Sequence, residues 1–188
     1  MKKISLSLSI SFMIVALLVG LAAGYYISPS YQQTMYNKEE MGFGQADRFV
    51  DLRYINQMAT HHKGAILLAN QIGNKSQRVE IKNLIAEIQT SEPKLIDELY
   101  AWKKQWYNDN RVIKDPIVPN LGDLDEKTDL RFLNALIAHH EEGIKMTKEI
   151  KVKSSRKEIL NNADTVEQFL TKSLVTLKGW REEWYEVK

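Results

Sequence analysis

The chain has 188 residues, room for one ordinary domain plus an extra segment, with 26 Lys and Arg against 24 Asp and Glu and no cysteine. Lys2 and Lys3 account for the whole formal charge of +2, so the remainder is neutral and lacks the basic excess of a nucleic-acid binder. Disulfides, thiolate ligands and a lipidation cysteine are excluded, and the folded part must be held by its core.

Residues 4–27 carry no charge and exceed the roughly 20 residues an apolar helix needs to cross a bilayer. The two lysines before them predict a cytoplasmic N-terminus and an exported remainder. Residues 1–27 are therefore read as a signal-anchor transmembrane helix, with a signal peptide cleaved near Ala22-Ala23-Gly24 as the alternative. Either reading puts the bulk of the chain outside the cytoplasm, in the periplasm or at the cell surface. Residues 28–44, punctuated by Pro29, Gly42 and Gly44, read as a tether that also holds Met35 and Met41.

Residues 45–188 contain one unit written twice. The stretch Asp51-Leu-Arg-Tyr-Ile-Asn-Gln-Met-Ala-Thr-His61-His62 returns as Asp129-Leu-Arg-Phe-Leu-Asn-Ala-Leu-Ile-Ala-His139-His140, at an offset of 78 residues. The same offset carries Trp102 onto Trp180 and Trp106 onto Trp184, and the two doublets hold all 4 histidines of the protein. Repeat one is assigned to 45–107, a linker with Pro116, Pro119 and Gly122 to 108–123, and repeat two to 124–188.

Within repeat one, Asp51, Ile55, Met58, His62, Ala65, Ala69 and Ile72 follow a heptad line that Tyr54, His61 and Leu68 flank, which predicts one broad helical face ending at Gly73. The next helix, over 77–107, has the seam Ile81, Ile85, Ile88, Glu92, Leu95, Leu99, Trp102 and Trp106. Pro93 inside that seam predicts a kink rather than two helices, because the second copy runs through Leu170 and Thr171 without a break. Repeat two gives helices over 125–150 and 155–186, the latter on Ile159, Ala163, Val166, Leu170, Ser173, Leu177, Trp180 and Trp184. Two such hairpins, neither able to bury its face alone, predict an all-α antiparallel four-helix bundle. The four tryptophans, ending helices two and four, are expected to plug one shared end of it.

Adjacent helical residues point about 100° apart, so a doublet does not chelate one ion as a simple pair. One imidazole can face the bundle centre while the other reaches a neighbouring helix. Imidazoles with the thioethers of Met58 and Met146, and no thiolate, suit copper, with zinc as the runner-up. The candidate ligands are His61, His62, Met58, His139, His140 and Met146. Asp51, Glu92 and Asp129 are candidates for carboxylates behind the ligands; for the two aspartates the alternative is a helix-start charge favoured by the dipole. Glu92 either meets a histidine of helix one or is turned to water by the Pro93 kink. No common catalytic motif is present, neither doublet has the Glu-x-x-His spacing of di-iron bundles, and no enzymatic activity is expected.

The run Met58-Ala-Thr-His61-His62-Lys-Gly64-Ala65, with Gln89, Glu92 and Trp102 further on, resembles the bacterial domain-of-unknown-function family 305. The resemblance covers about residue 47 to the C-terminus and is closer in the first copy. It implies a ferritin-like four-helix bundle, exported or membrane-anchored, in a family some of whose members bind copper through histidine and methionine. Departures are Leu68 and Leu136, where the pattern has methionine, and Glu142-Gly143 in place of Gly-Ala. They halve the thioethers, which weighs against copper(I) and leaves copper(II) or zinc open. The expectation is a membrane-anchored bundle that sequesters or transfers copper, with the membrane and the metal ion as partners. The alternative is a non-metal interaction or pH-sensing module whose histidines are structural.

Overall fold

The structure, a computed structural model, describes residues 42–187, so the anchor assigned to 1–27 and the tether up to residue 41 lie outside the described residues. Among the described residues there are four helices and no strand: α1 Val50–Ile72, α2 Val79–Tyr107, α3 Thr128–Lys151 and α4 Lys157–Tyr185. None is long and apolar enough to cross a membrane. The all-helical bundle and the boundaries of its elements follow the hydrophobic period closely. Gly73 and Asn108, both at positive φ, stop α1 and α2 with their N–H groups on the last carbonyls. The α2 helix continues through Pro93 as one element of 29 residues.

The hairpins α1–α2 and α3–α4 pack internally, and α1 against α3 joins them. Asp51 at the start of α1 accepts hydrogen bonds from Ser154 Oγ (2.6 Å) and Arg156 Nε (3.0 Å) at the α3–α4 junction. Asp129 at the start of α3 accepts one from Ser76 Oγ (2.9 Å) at the α1–α2 junction, with Arg78 Nε 3.9 Å away. The start of each inner helix thus meets the end of the other, and α1 and α3 are antiparallel.

That direction separates the tryptophans. Trp102 and Trp106 stack at 5.2 Å and pack on the cluster of Tyr54, Met58, Leu99, Ile150 and Ile159. Trp180 and Trp184 stack at 5.3 Å and pack on the cluster of Leu68, Ile72, Ile81, Phe132 and Leu136. The two pairs therefore close opposite ends rather than one shared end. Each carries a guanidinium from the other repeat on its outer ring, Arg156 over Trp106 at 4.2 Å and Arg78 over Trp184 at 4.1 Å.

The repeat also begins earlier than its helices. Phe43 and Leu121, 78 positions apart, are both buried, and each is followed by a glycine at positive φ, Gly44 (63°) and Gly122 (74°). Arg53 and Arg131 close these turns on the carbonyls of Phe43 and Leu121. The Phe43 N–H donates to Glu149 Oε1 (2.7 Å) and the Leu121 N–H to Gln71 Oε1 (2.9 Å). Residues 42–44, read from sequence as tether, and 121–123, read as linker, are therefore built into the bundle ends.

Candidate functional site

The four histidines sit halfway along α1 and α3, where the antiparallel crossing brings the doublets together. Each is nine-tenths or more buried. They line one cavity of about 40 Å³, with Ile88, Ser91 and Glu92 from α2 and Phe169, Leu170 and Ser173 from α4. That is room for an ion or a water molecule or two. The layer divides the core: the cluster with Tyr54 and Ile150 lies on one side and the cluster with Leu68 and Phe132 on the other.

Small residues make the close approach of the rings possible. A β-carbon on Gly143 would fall 2.7 Å from His61 Nε2 and 2.5 Å from Leu170 Cδ1, whereas one on Gly64 would meet His139 Cε1 at 3.1 Å. The His61 and His139 rings stack at 3.8 Å with 14° between their planes. His61 Nε2 lies 3.0 Å from the backbone carbonyl of His139. A carbonyl only accepts, so His61 carries its proton on Nε2 and Nδ1 keeps a lone pair.

His62 Nδ1 is 2.5 Å from Glu92 Oε2, which settles the choice that Pro93 left open: Glu92 turns inward. His140 Nε2 is 2.9 Å from Ser173 Oγ. In each ring one nitrogen is buried without a hydrogen-bond partner: Nδ1 of His61, Nε2 of His62, Nε2 of His139 and Nδ1 of His140. Leaving a buried polar atom unmatched costs about 1–3 kcal/mol.

Burial and neighbouring imidazoles hold His61, His139 and His140 neutral. Desolvation first, then the charge of His62, pushes His61 down to about 3. His139 is held well below the usual histidine range by burial and then by His61, and burial takes His140 down to about 4. A neutral imidazole is the form that binds a metal.

Of the candidates read from sequence, His61, His62, His139, His140 and Glu92 come together. Met58 and Met146 do not line the cavity; both are buried in the cluster on the Tyr54 side. The cause is register. Met58 precedes its doublet, Met146 follows the other, and antiparallel helices put both on one side; their counterparts on the opposite side are Leu136 and Leu68. Asp51 and Asp129 sit at the bundle ends in the ties to Ser154, Arg156, Ser76 and Arg78, remote from any histidine. Ser173 as a partner of His140, and Gly143 as the seat of His61, escaped the sequence reading. A small polar residue in the otherwise apolar α4 seam was the available signal for Ser173.

Among the described residues, no group of three or more His, Cys, Asp or Glu is already gathered at metal-holding distances. The donor chemistry nonetheless fits a copper-type ion: buried imidazoles, each with an unmatched nitrogen, one carboxylate behind them and a cavity of ionic size.

Comparison with known proteins places this geometry. CopM in its Cu(I)-bound form is 25% identical, with a TM-score of 0.65 over 72% of this chain and 97% of that one. CopM in the Ag-bound form obtained by soaking is 26% identical with a TM-score of 0.62, covering 72% of this chain and 97% of that one. A DUF305 fragment from Deinococcus radiodurans is 21% identical with a TM-score of 0.61, covering 71% of this chain and 95% of that one, and supports the fold alone. No curated protein matches the sequence. The model of the family described as "Domain of unknown function (DUF305)" matches residues 51–123 and 129–188, the two repeats that supply the histidine layer, and the chain belongs to that family.

Proposed function

We propose that this protein binds copper as cargo in the histidine layer, sequestering the ion or passing it on, and that it works outside the cytoplasm from its N-terminal membrane anchor. It is a binder and not a catalyst. The observation that carries the reading is the set of four buried imidazoles, contributed equally by two repeats to one cavity, each with an unmatched nitrogen. An apolar layer would avoid that cost, and an ion in the cavity would offset it. The likeness to CopM, solved with Cu(I) and with Ag, supports the same assignment.

The hydrogen bonds of His61, His62 and His140 favour a second reading, a structural or pH-sensing layer without metal. Thermal unfolding of the full chain in detergent separates the two. A ligand bound only to the folded state at ~100 times its Kd stabilises by about 2.7 kcal/mol, so copper should raise the Tm by several degrees. A variant with all four histidines replaced by asparagine should show no rise. Equal, micromolar-or-weaker copper binding by both proteins would reject the copper reading, and zinc in the same titration tests the runner-up ion.

A further inference from the structure

The two doublets are not equally prepared for an ion. Both histidines of the first face groups that accept: the His139 carbonyl for His61 and a Glu92 carboxylate oxygen for His62. Those partners place the protons on His61 Nε2 and His62 Nδ1. The bare nitrogens, His61 Nδ1 and His62 Nε2, are the buried ones without a partner. The second doublet is less firmly set: the Leu136 carbonyl, one turn before His140, acts on that ring, but His140 Nδ1 makes no full hydrogen bond. Ser173, facing His140 Nε2, is a hydroxyl that donates or accepts equally well. Position 170, the counterpart of Glu92, is an aliphatic leucine on the cavity wall.

The donor set around the cavity is also harder than the composition suggests. Both candidate thioethers are sealed in the apolar cluster on the Tyr54 side, and Leu68 and Leu136 occupy the equivalent places opposite. Imidazole backed by carboxylate suits a divalent ion, whereas copper(I) is selected by sulfur. A carboxylate hydrogen-bonded to a ligand imidazole raises its basicity and supplies negative charge that a divalent ion gains from more than a monovalent one.

We infer that the layer takes one divalent ion per chain, copper(II) in preference to copper(I), shared between the doublets, with Nδ1 of His61 and Nε2 of His62 as its fixed donors and Glu92 as the positioning carboxylate; neither doublet holds the ion alone, since adjacent helical side chains diverge by about 100°. The less firmly set pair His139 and His140 completes the set once the ion is present, in keeping with the absence of a ready-made three-ligand group among the described residues. This inference rests on the copper reading above and adds the oxidation state, the stoichiometry and the inequality of the repeats.

The test is titration of the full chain in detergent with copper(II), and with copper(I) under anaerobic chelator competition, followed by electron paramagnetic resonance of the copper(II) form. One copper(II) per chain is expected, with nitrogen hyperfine structure and tighter binding than copper(I). Glu92→Gln, which keeps an oxygen able to accept from His62, should weaken copper(II) about 10- to 100-fold with little change for copper(I). His62→Asn should weaken copper(II) more than His140→Asn does. Unfolding curves confirm that each variant is folded. Copper(I) bound as tightly as copper(II), two ions per chain, or no effect of Glu92→Gln on a folded protein would overturn the inference while leaving copper binding intact. Failure to bind either oxidation state would overturn both.

Discussion

The two repeats agree at the ends of the bundle and differ at its centre. At the ends, Phe43 and Leu121, Arg53 and Arg131, Asp51 and Asp129, and the two tryptophan pairs all play matching parts. At the centre, Glu92 backs one doublet and Ser173 the other, and the methionines lie on one side of the layer while leucines fill the other. Symmetric residues build the scaffold by making each hairpin hold the other. The asymmetric ones give the histidine layer a direction, with one face fixed and the other adaptable.

Acidification probes what the doublets share and has the largest expected effect. His61, His139 and His140 titrate below the unfolded histidine value of about 6.5. Between that value and about 4 the unfolded chain holds protons that the native layer refuses, so stability falls as pH falls. It is unaffected by these groups above about pH 6.5, and below it each histidine removes up to about 1.4 kcal/mol per pH unit. Thermal unfolding of metal-free protein from pH 7.5 to 4.5 checks this. An equally steep loss in the variant lacking all four histidines would place the sensitivity elsewhere.

Exchanging the residues that differ should then separate the doublets. Glu92→Leu copies the second repeat into the first and leaves the His62 Nδ1–H without an acceptor, at a cost of about 2 kcal/mol. Gly143→Ala and Gly64→Ala form a matched pair. Alanine gains up to about 1 kcal/mol of helix propensity at either position, but at 143 its methyl strikes both Leu170 and His61. Overpacking should leave Gly143→Ala destabilised by about 1–2 kcal/mol. Gly64→Ala, meeting His139 Cε1 at 3.1 Å, should stay within about 0.5 kcal/mol of the parent. Denaturant midpoints give the ranking, and equal costs at 64 and 143 would mean that His61 is not held against α3 as described.

Much of this was legible in the residues. The heptad lines fixed which faces of α1 and α3 turn inward, and the doublets marked the middle of the core because nothing else there is polar in both copies. Glu92 stood out as a carboxylate in an apolar seam. What could not be read was relative direction: a repeat offset says that two hairpins are alike, not whether their inner helices run the same way. The side chosen by Met58 and Met146, and the opposite ends taken by Trp106 and Trp184, both depend on that direction. The burial of Lys103 was hidden for a similar reason, since its Nζ is satisfied by the Arg111 carbonyl (2.8 Å) from the linker, which helical periodicity does not describe.

The smallest expected difference between the repeats lies in the end ties, where even the matching parts are not identical. At both ends the serine Oγ also accepts an arginine N–H, Arg156 on Ser154 and Arg78 on Ser76, but Asp51 uses both oxygens, one on Ser154 and one on Arg156. Asp129 engages Ser76 through one oxygen, stands 3.9 Å from Arg78, and keeps its other oxygen buried without a partner. Asp51→Asn therefore loses a close charge-assisted bond and should cost about 1–1.5 kcal/mol. Asp129→Asn weakens a single bond and a distant pair, at about 0.5 kcal/mol. Chemical denaturation of the two variants at low and high salt measures the difference. Asp51→Asn should show the larger loss and the larger reduction with salt, and a reversed order would mean that α2, not α4, is the more firmly tied of the outer helices.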